Sequence, residues 1–357
     1  MKIGESLGVP VPKVKTFNKV IPIFAADPSL LYGVELEIEN VPNYEDFRTA
    51  GITDKADGSL RNNGREFVTT VMSLSNLNYC LNAFFTKAKL TKENYSERCS
   101  VHVHTNVTDM EWDQLKTLLM IYQVVEPLLF EWIGEERNNN IFCVPLHQTN
   151  ITYKSITKDS DFTKYKRWEK YTALNLLPMY SLGSVEWRHM AGTCDLTRII
   201  TWCQLIGSIF QYAKSHTFEE ASKIVLKLNS SSAYDVLLQE VFGRFSNQIL
   251  EIPNYKPMME EGVLYVKYSL TDVNNTQKPK DESWFSQFAE REAEAIRQMQ
   301  DRMRRIPAVP RAHNPLQHDP IPVAEYDPRI QPLQVNLGQW QRLGDPIMMP
   351  QAPAEDL

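Results

Sequence analysis

Hydrophobic and polar positions alternate in four separate stretches of this chain. YGVELEIENV (32–41) sets Val34, Leu36 and Ile38 against Glu35, Glu37 and Glu39. Period-two alternation predicts a strand, because successive side chains point to opposite faces. GREFVTT (64–70) repeats the pattern. So does CSVHVHTNV (99–107), where Val101, Val103 and Thr105 oppose His102, His104 and Asn106. In LGSVEWRHM (182–190), Glu186 and Arg188 oppose Val185 and Trp187. DKADGSL (54–60) reads as a turn, and GVLYVKYSL (262–270) predicts a late strand.

Between these stretches the period lengthens to that of a helix. Leu77, Cys80, Leu81, Phe84 and Phe85 mark a helix within 73–90. Thr108 with Glu111 forms a capping-box pattern ahead of a helix striped by Leu115, Leu118, Leu119 and Tyr122. Pro127 kinks or restarts that helix and Gly134 ends it. Ile199, Cys203, Ile206 and Phe210 stripe a long helix over 195–213, and a helix pair fills about 217 to 245.

These patterns divide the chain. Residues 1–30 hold four prolines and read as a leader draped over the domain. Residues 31–273 form the globular part, 274–306 a polar linker followed by a charged helix, and 307–357 a tail with ten prolines, largely disordered or draped. Such a tail fits a protein partner.

Composition narrows the class. With 357 residues, 43% hydrophobic and 23% charged, the chain reads as a soluble protein with a sizeable core. A net charge of -6 offers no overall basic footprint, so no nucleic acid is expected as a partner. No apolar run reaches the roughly 18 residues of a membrane span, and the start lacks the apolar core of a signal peptide. Five cysteines without CxxC spacing read as reduced thiols, which with the rest predicts a cytoplasmic protein.

The polar faces carry the candidate chemistry. Each has an ordinary reading: a wet strand face for Glu35, Glu37 and Glu39, buried hydrogen-bonded histidines for His102 and His104, a cross-strand ion pair for Glu186 and Arg188, a turn for DGS (57–59), and a cation near a helix C-terminus for Arg137. Together they point further. Three carboxylates within five residues of one strand repel one another unless a cation intervenes. Carboxylates in excess of cationic partners, with histidine among them, fit Mg²⁺ or Mn²⁺. Metals and arginines on one sheet face are the equipment for phosphoryl transfer. There is no Walker A loop and no GxGxxG, so a bound nucleotide would lie on the sheet face, held by metals.

At these residues the sequence resembles the amidoligase family of the glutamine synthetase and glutamate-cysteine ligase superfamily. The resemblance runs from about Tyr32 to about Tyr212, on GVELEIE, DGSLRNNGREFVT, SVHVHTNV, a helix ending GEER, KYTALNL and SVEWRHMAGT, which agree in order and spacing. It implies an α+β fold: a curved antiparallel sheet of the glutamine synthetase type, with helices on its convex face and ATP and two or more divalent metals on the concave one. Glu35, Glu37, Glu66, His104 and Glu186 would then hold metal. His102, His104, Asn106, Asn175 and Arg188 would meet the nucleotide. Arg188, Arg137 and Asp57 would serve catalysis, Asp57 toward the amine. The implied reaction joins a carboxylate to an amine at the expense of ATP, through an acyl phosphate. Two other readings remain: a metal-dependent hydrolase using the same histidines and glutamates, and a non-catalytic scaffold acting through the tail, with 274–357 as its partner-binding arm.

Overall fold

The computed structural model describes residues 1–271 apart from 24–25, 42, 135–136, 138–139, 150–164 and 167. The linker, charged helix and proline-rich tail expected from residue 274 lie outside the described residues.

The protein has the expected α+β character, helices with an antiparallel sheet. The strands are β1 (Leu31–Ile38), β2 (Ile52–Ala56), β3 (Arg65–Thr69), β4 (Met72–Ser73), β5 (Ser100–Asn106), β6 (Leu174–Asn175) and β7 (Ser184–Ala191). They lie in the order β2-β3-β1-β5-β7-β6, with β4 pairing the start of β1. The first strand in the chain is therefore flanked on both sides. β1 pairs with β3 through Glu37 opposite Glu66, and with β5 through Glu35 opposite His102. β7 pairs with β5 through His104 opposite Glu186.

Directly opposed residues share a face, so this register alone sets every even-numbered side chain of β1 on one side of the sheet. Tyr32, Val34, Leu36 and Ile38 are all buried there. Helices α2 (Leu74–Ala88), α3 (Trp112–Ile133) and α4 (Leu196–Ser215) carry the apolar stripes that join this core. The odd-numbered face of β1 carries Gly33, Glu35 and Glu37. Glu39 falls outside it: β1 ends at Ile38, and the Glu39 carboxylate turns away to accept from the Arg61 amide at 2.9 Å.

The centre of the core is aromatic. Trp187 of β7 meets Tyr122 edge-on at 5.4 Å and Trp202 at 6.3 Å, and its indole donates to Thr105 Oγ1 at 3.0 Å. Such pairs add about 0.5–1.5 kcal/mol each beyond the area they bury. Beside them lies a buried polar knot. Glu126 accepts from Tyr122 OH at 2.7 Å, from the amides of Leu146 and His147 at 2.6 and 3.2 Å, and contacts His147 Nδ1 at 3.1 Å. Burial works against its charge, but His147 and these donors hold its carboxyl below the usual carboxylate range. Because Tyr122 donates to Glu126, it must accept from His189 Nε2, 2.9 Å away. Burial pushes His189 down to about 3, so this imidazole is neutral. The knot ties the segment that crosses beside β7 to helix α3.

Several expectations are corrected. Helix α3 begins after Glu111, whose capping box is with Gln114, so Thr108 is not its cap. Pro127 lies inside α3, which does not restart there, and Gly134 closes the helix as expected. The expected turn at 54–60 is shortened from the front, because β2 runs through Ala56. The leader contains a short helix, α1 (Ile3–Leu7), and hydrogen-bonds to the domain through Lys15 N to Val71 O and Phe17 N to Asn76 Oδ1.

The largest correction is at 262–270, which is helix and not strand. After α5 (Phe218–Lys227), α6 (Ser231–Phe242) and α7 (Ser246–Leu250), helix α8 (Tyr255–Thr271) covers it. Met259, Val263 and Val266 recur at helical spacing and are buried. Among the described residues no helix is long and apolar enough to cross a membrane.

Helices α3 and α8 approach closely at Gly262. A Cβ there would lie 2.3 Å from Val124 O and 2.9 Å from Gln123 O, both backbone atoms that cannot swing aside. Helix propensity favours alanine over glycine by about 1 kcal/mol, whereas forced overpacking costs about 1–3 kcal/mol or more. The clash should win. Gly262→Ala is expected to destabilise the protein by about 1–2 kcal/mol net in urea unfolding; a stabilised variant would contradict this crossing.

Candidate functional site

Besides Lys55 of β2, five strands deliver polar side chains to the face opposite the core. β1 supplies Glu35 and Glu37, β3 Glu66, β5 Ser100, His102 and His104, β7 Glu186 and Arg188, and the edge strand β6 Asn175. Glycine at position 33 leaves open space facing His104: a Cβ there would meet only the His104 Cβ at 3.8 Å and the Thr69 carbonyl at 4.0 Å.

His102 is the hinge of the arrangement. Its Nδ1 lies 3.3 Å from Glu35 Oε2 and 3.1 Å from Glu186 Oε1, and its Nε2 is 2.7 Å from Ser100 Oγ. Both ring nitrogens are occupied, so His102 holds the two carboxylates in place. Ser100 in turn donates its amide to Glu37 Oε2 at 2.8 Å, and its hydroxyl to the same oxygen. Glu37 Oε2 thereby accepts twice from Ser100.

His104 is held differently. Its Nδ1 is 3.1 Å from Ser184 Oγ, which fixes the ring. Its Nε2 has no hydrogen-bond partner; it stands 3.3 Å from Glu35 Oε1 outside hydrogen-bonding geometry. Glu35, His104 and Glu186 each offer one ligand atom, and these atoms all lie within 4.8 Å of one another. A ring anchored through one nitrogen and presenting the other beside two carboxylates is the usual manner of a metal-ligating histidine. Two carboxylates and one imidazole could hold a metal ion here.

Electrostatics bind the cluster. Burial opposes ionisation of Glu35, but the two histidines outweigh it and hold its carboxyl well below the usual range. The same opposition is won at Glu186 by His102 and Arg188. At His104 burial lowers the pKa and Glu35 raises it, with a net upward shift. Glu66 goes the other way. Burial and the neighbouring Glu35 charge push it up to about 7, against the pull of Lys55.

The remaining expected residues divide. Arg188 pairs with Glu186 and donates Nε to Phe142 O at 3.0 Å. Asn175 Nδ2 donates to Glu186 Oε2 at 2.7 Å, so it orients that carboxylate. Arg137 is buried behind β7, donating to the Arg188 carbonyl at 2.9 Å, with its Nε unpartnered. Asp57 sits in the turn after β2 and accepts from the Ser59 amide at 2.7 Å. Asn106 shares the strand but not the cluster: its amide binds Asp109, and its carbonyl oxygen accepts from Thr108. Its short side chain is taken up by the turn that follows β5.

Three participants escaped the sequence reading. Ser100 and Ser184 lie two residues before His102 and Glu186, so period two alone would have put them on this face. Lys55 belongs to β2, opposite Glu66, and was hidden by reading its segment as a turn. No known family's sequence pattern and no curated protein matches the chain.

The Glu66 shift has a definite sign. Its carboxyl binds a proton more tightly folded than unfolded, so stability falls as pH rises from about 4.5 toward about 7. Glu66→Gln mimics the protonated form. In chelator-treated protein the variant should exceed wild type by about 1–3 kcal/mol at pH 8, and match it near pH 5, in urea unfolding. A variant less stable than wild type at pH 8 would contradict the assigned environment.

Proposed function

We infer that this face carries out ATP-dependent joining of a carboxylate to an amine. The observation that carries the reading is the convergence of Glu35, His104 and Glu186 within 4.8 Å, on a face that also holds Arg188, Glu37 and Glu66. The resemblance in GVELEIE, SVHVHTNV and SVEWRHMAGT points the same way, and implies the curved, glutamine synthetase-like form of the sheet. The donor set fits a divalent cation on this chain's own chemistry: hard oxygens in excess and an unpartnered imidazole nitrogen. When bound, such a cation neutralises phosphate charge.

The chain's residues then have these parts. Glu35, His104 and Glu186 hold the cation. His102 and Asn175 keep the two glutamates aimed, each through contacts of 2.7–3.3 Å. Arg188 is a planar fork beside the ligands, suited to phosphate oxygens; to reach one it exchanges part of its pairing with Glu186. Arg137 supports Arg188 from behind by its bond to the Arg188 carbonyl.

The chemistry needs no protein nucleophile. A substrate carboxylate oxygen bonds to the γ-phosphorus as the bridging P–O bond breaks, releasing ADP. The amine nitrogen then bonds to the acyl carbon, the C–O bond to phosphate breaks, and the amine gives up a proton. The site contributes placement and electrostatic stabilisation. A chain of this kind takes ATP, a carboxylate and an amine as small-molecule partners.

The test uses hydroxylamine as a general amine with ATP, Mg²⁺ and a panel of carboxylic acids. ADP and acyl hydroxamate should appear in equal amounts. Arg188→Lys should lower kcat/KM by about 10²–10³-fold, and Glu35→Gln should abolish turnover. Amide cleavage without ATP would favour the hydrolase. Absence of any thermal shift with millimolar nucleotide and Mg²⁺ would overturn the ligase reading.

A further inference from the structure

One cation on the polar face is already supplied by the chain. Lys55 lies opposite Glu66 in the β2–β3 register and reaches across the face. Its Nζ is 2.8 Å from Glu66 Oε1 and 4.0 Å from Glu35 Oε1. That Glu35 oxygen is the one 3.3 Å from His104 Nε2. Glu35 therefore stands between two cation positions: the three-ligand cluster on one hand, and the Lys55 ammonium with Glu66 on the other.

The charge count gives the consequence. Four carboxyl groups, those of Glu35, Glu37, Glu66 and Glu186, share this face with two cationic side chains of the chain itself, Lys55 and Arg188. A second divalent cation at Glu35 and Glu66 would have to sit against an ammonium already 2.8 Å from its ligand. Like charges at such separation repel even at an effective dielectric near 20.

We propose that Lys55 takes the place of a second metal ion, so that the protein holds one resident divalent cation, at Glu35, His104 and Glu186. The inference rests on the metal reading of the preceding subsection and revises the expectation of two or more ions. An ammonium brings one charge, cannot chelate, and does not dissociate into solvent as a metal does. It stands beside Glu66 and Glu35 at any metal concentration. Any further divalent ion would then arrive with the nucleotide.

Lys55 is suited to substitution. Its side chain is 56% exposed on an edge strand, so Lys55→Met keeps the stem and removes only the charge. The measurement is Mn²⁺ binding without nucleotide, read from the free-ion signal in electron paramagnetic resonance. Wild type and Lys55→Arg should bind one Mn²⁺ per chain. Lys55→Met should bind two, and Lys55→Met with Glu66→Gln should return to one. Two ions on wild type, or one on Lys55→Met, would overturn the role of Lys55 while leaving the ligase reading standing. No binding to wild type would overturn the metal site and this inference together. Two ions on Lys55→Met, with no ATP turnover in any of these proteins, would support the role of Lys55 and leave the ligase reading to fall alone.

Discussion

Four glutamates cannot share a largely buried sheet face unless cationic and hydrogen-bonding groups are placed among them. An uncompensated buried charge costs several kcal/mol, a sizeable part of the roughly 5–15 kcal/mol that holds a domain together. This constraint organises the protein. Each carboxylate has its own answer: Glu37 has Ser100, Glu66 has Lys55, Glu186 has Arg188 and Asn175, and Glu35 lies between His102 and His104. The strand order supplies those answers. Because β5 runs between β1 and β7, the imidazoles fall between the glutamates of the two outer strands.

The opposite face makes that arrangement rigid. Trp187 stands between Glu186 and Arg188 in sequence and points into the aromatic core, where Tyr122 and Trp202 flank it. The same strand thus fixes a carboxylate and a guanidinium on one side through packing on the other. The Glu126 knot adds a tether from α3 to the segment that ends in Leu146 and His147, near the Phe142 carbonyl that Arg188 binds. Precision at the site depends on this apolar and polar support, since a ligand displaced by about 1 Å loses much of its effect.

Much of this was legible in the sequence, and the failures have physical causes. Period-two alternation identified β1, β3, β5 and β7 and the polar residues they present. It could not reveal pairing partners, which depend on contacts distant in the chain. Nor could it show that His102 is spent on Glu35, Glu186 and Ser100 while His104 keeps a free nitrogen, because that difference lies in second neighbours. Asn106 followed the strand pattern but was captured by its own turn, a common fate of short amides. The segment at 262–270 misled because Val263, Leu264, Tyr265 and Val266 have strand propensity, and burial against α3 overrode it. Lys55 was missed because Asp57-Gly58 drew the turn too early.

The proposed reaction requires a cation and a triphosphate to meet on this face. Crystals grown with Mn²⁺ and a non-hydrolysable ATP analogue, with anomalous data at the manganese edge, test it most directly. The account predicts a peak bounded by the side chains of Glu35, His104 and Glu186, with phosphate oxygens between it and Arg188. A metal peak and nucleotide density on any other surface, with this face unchanged, would contradict it.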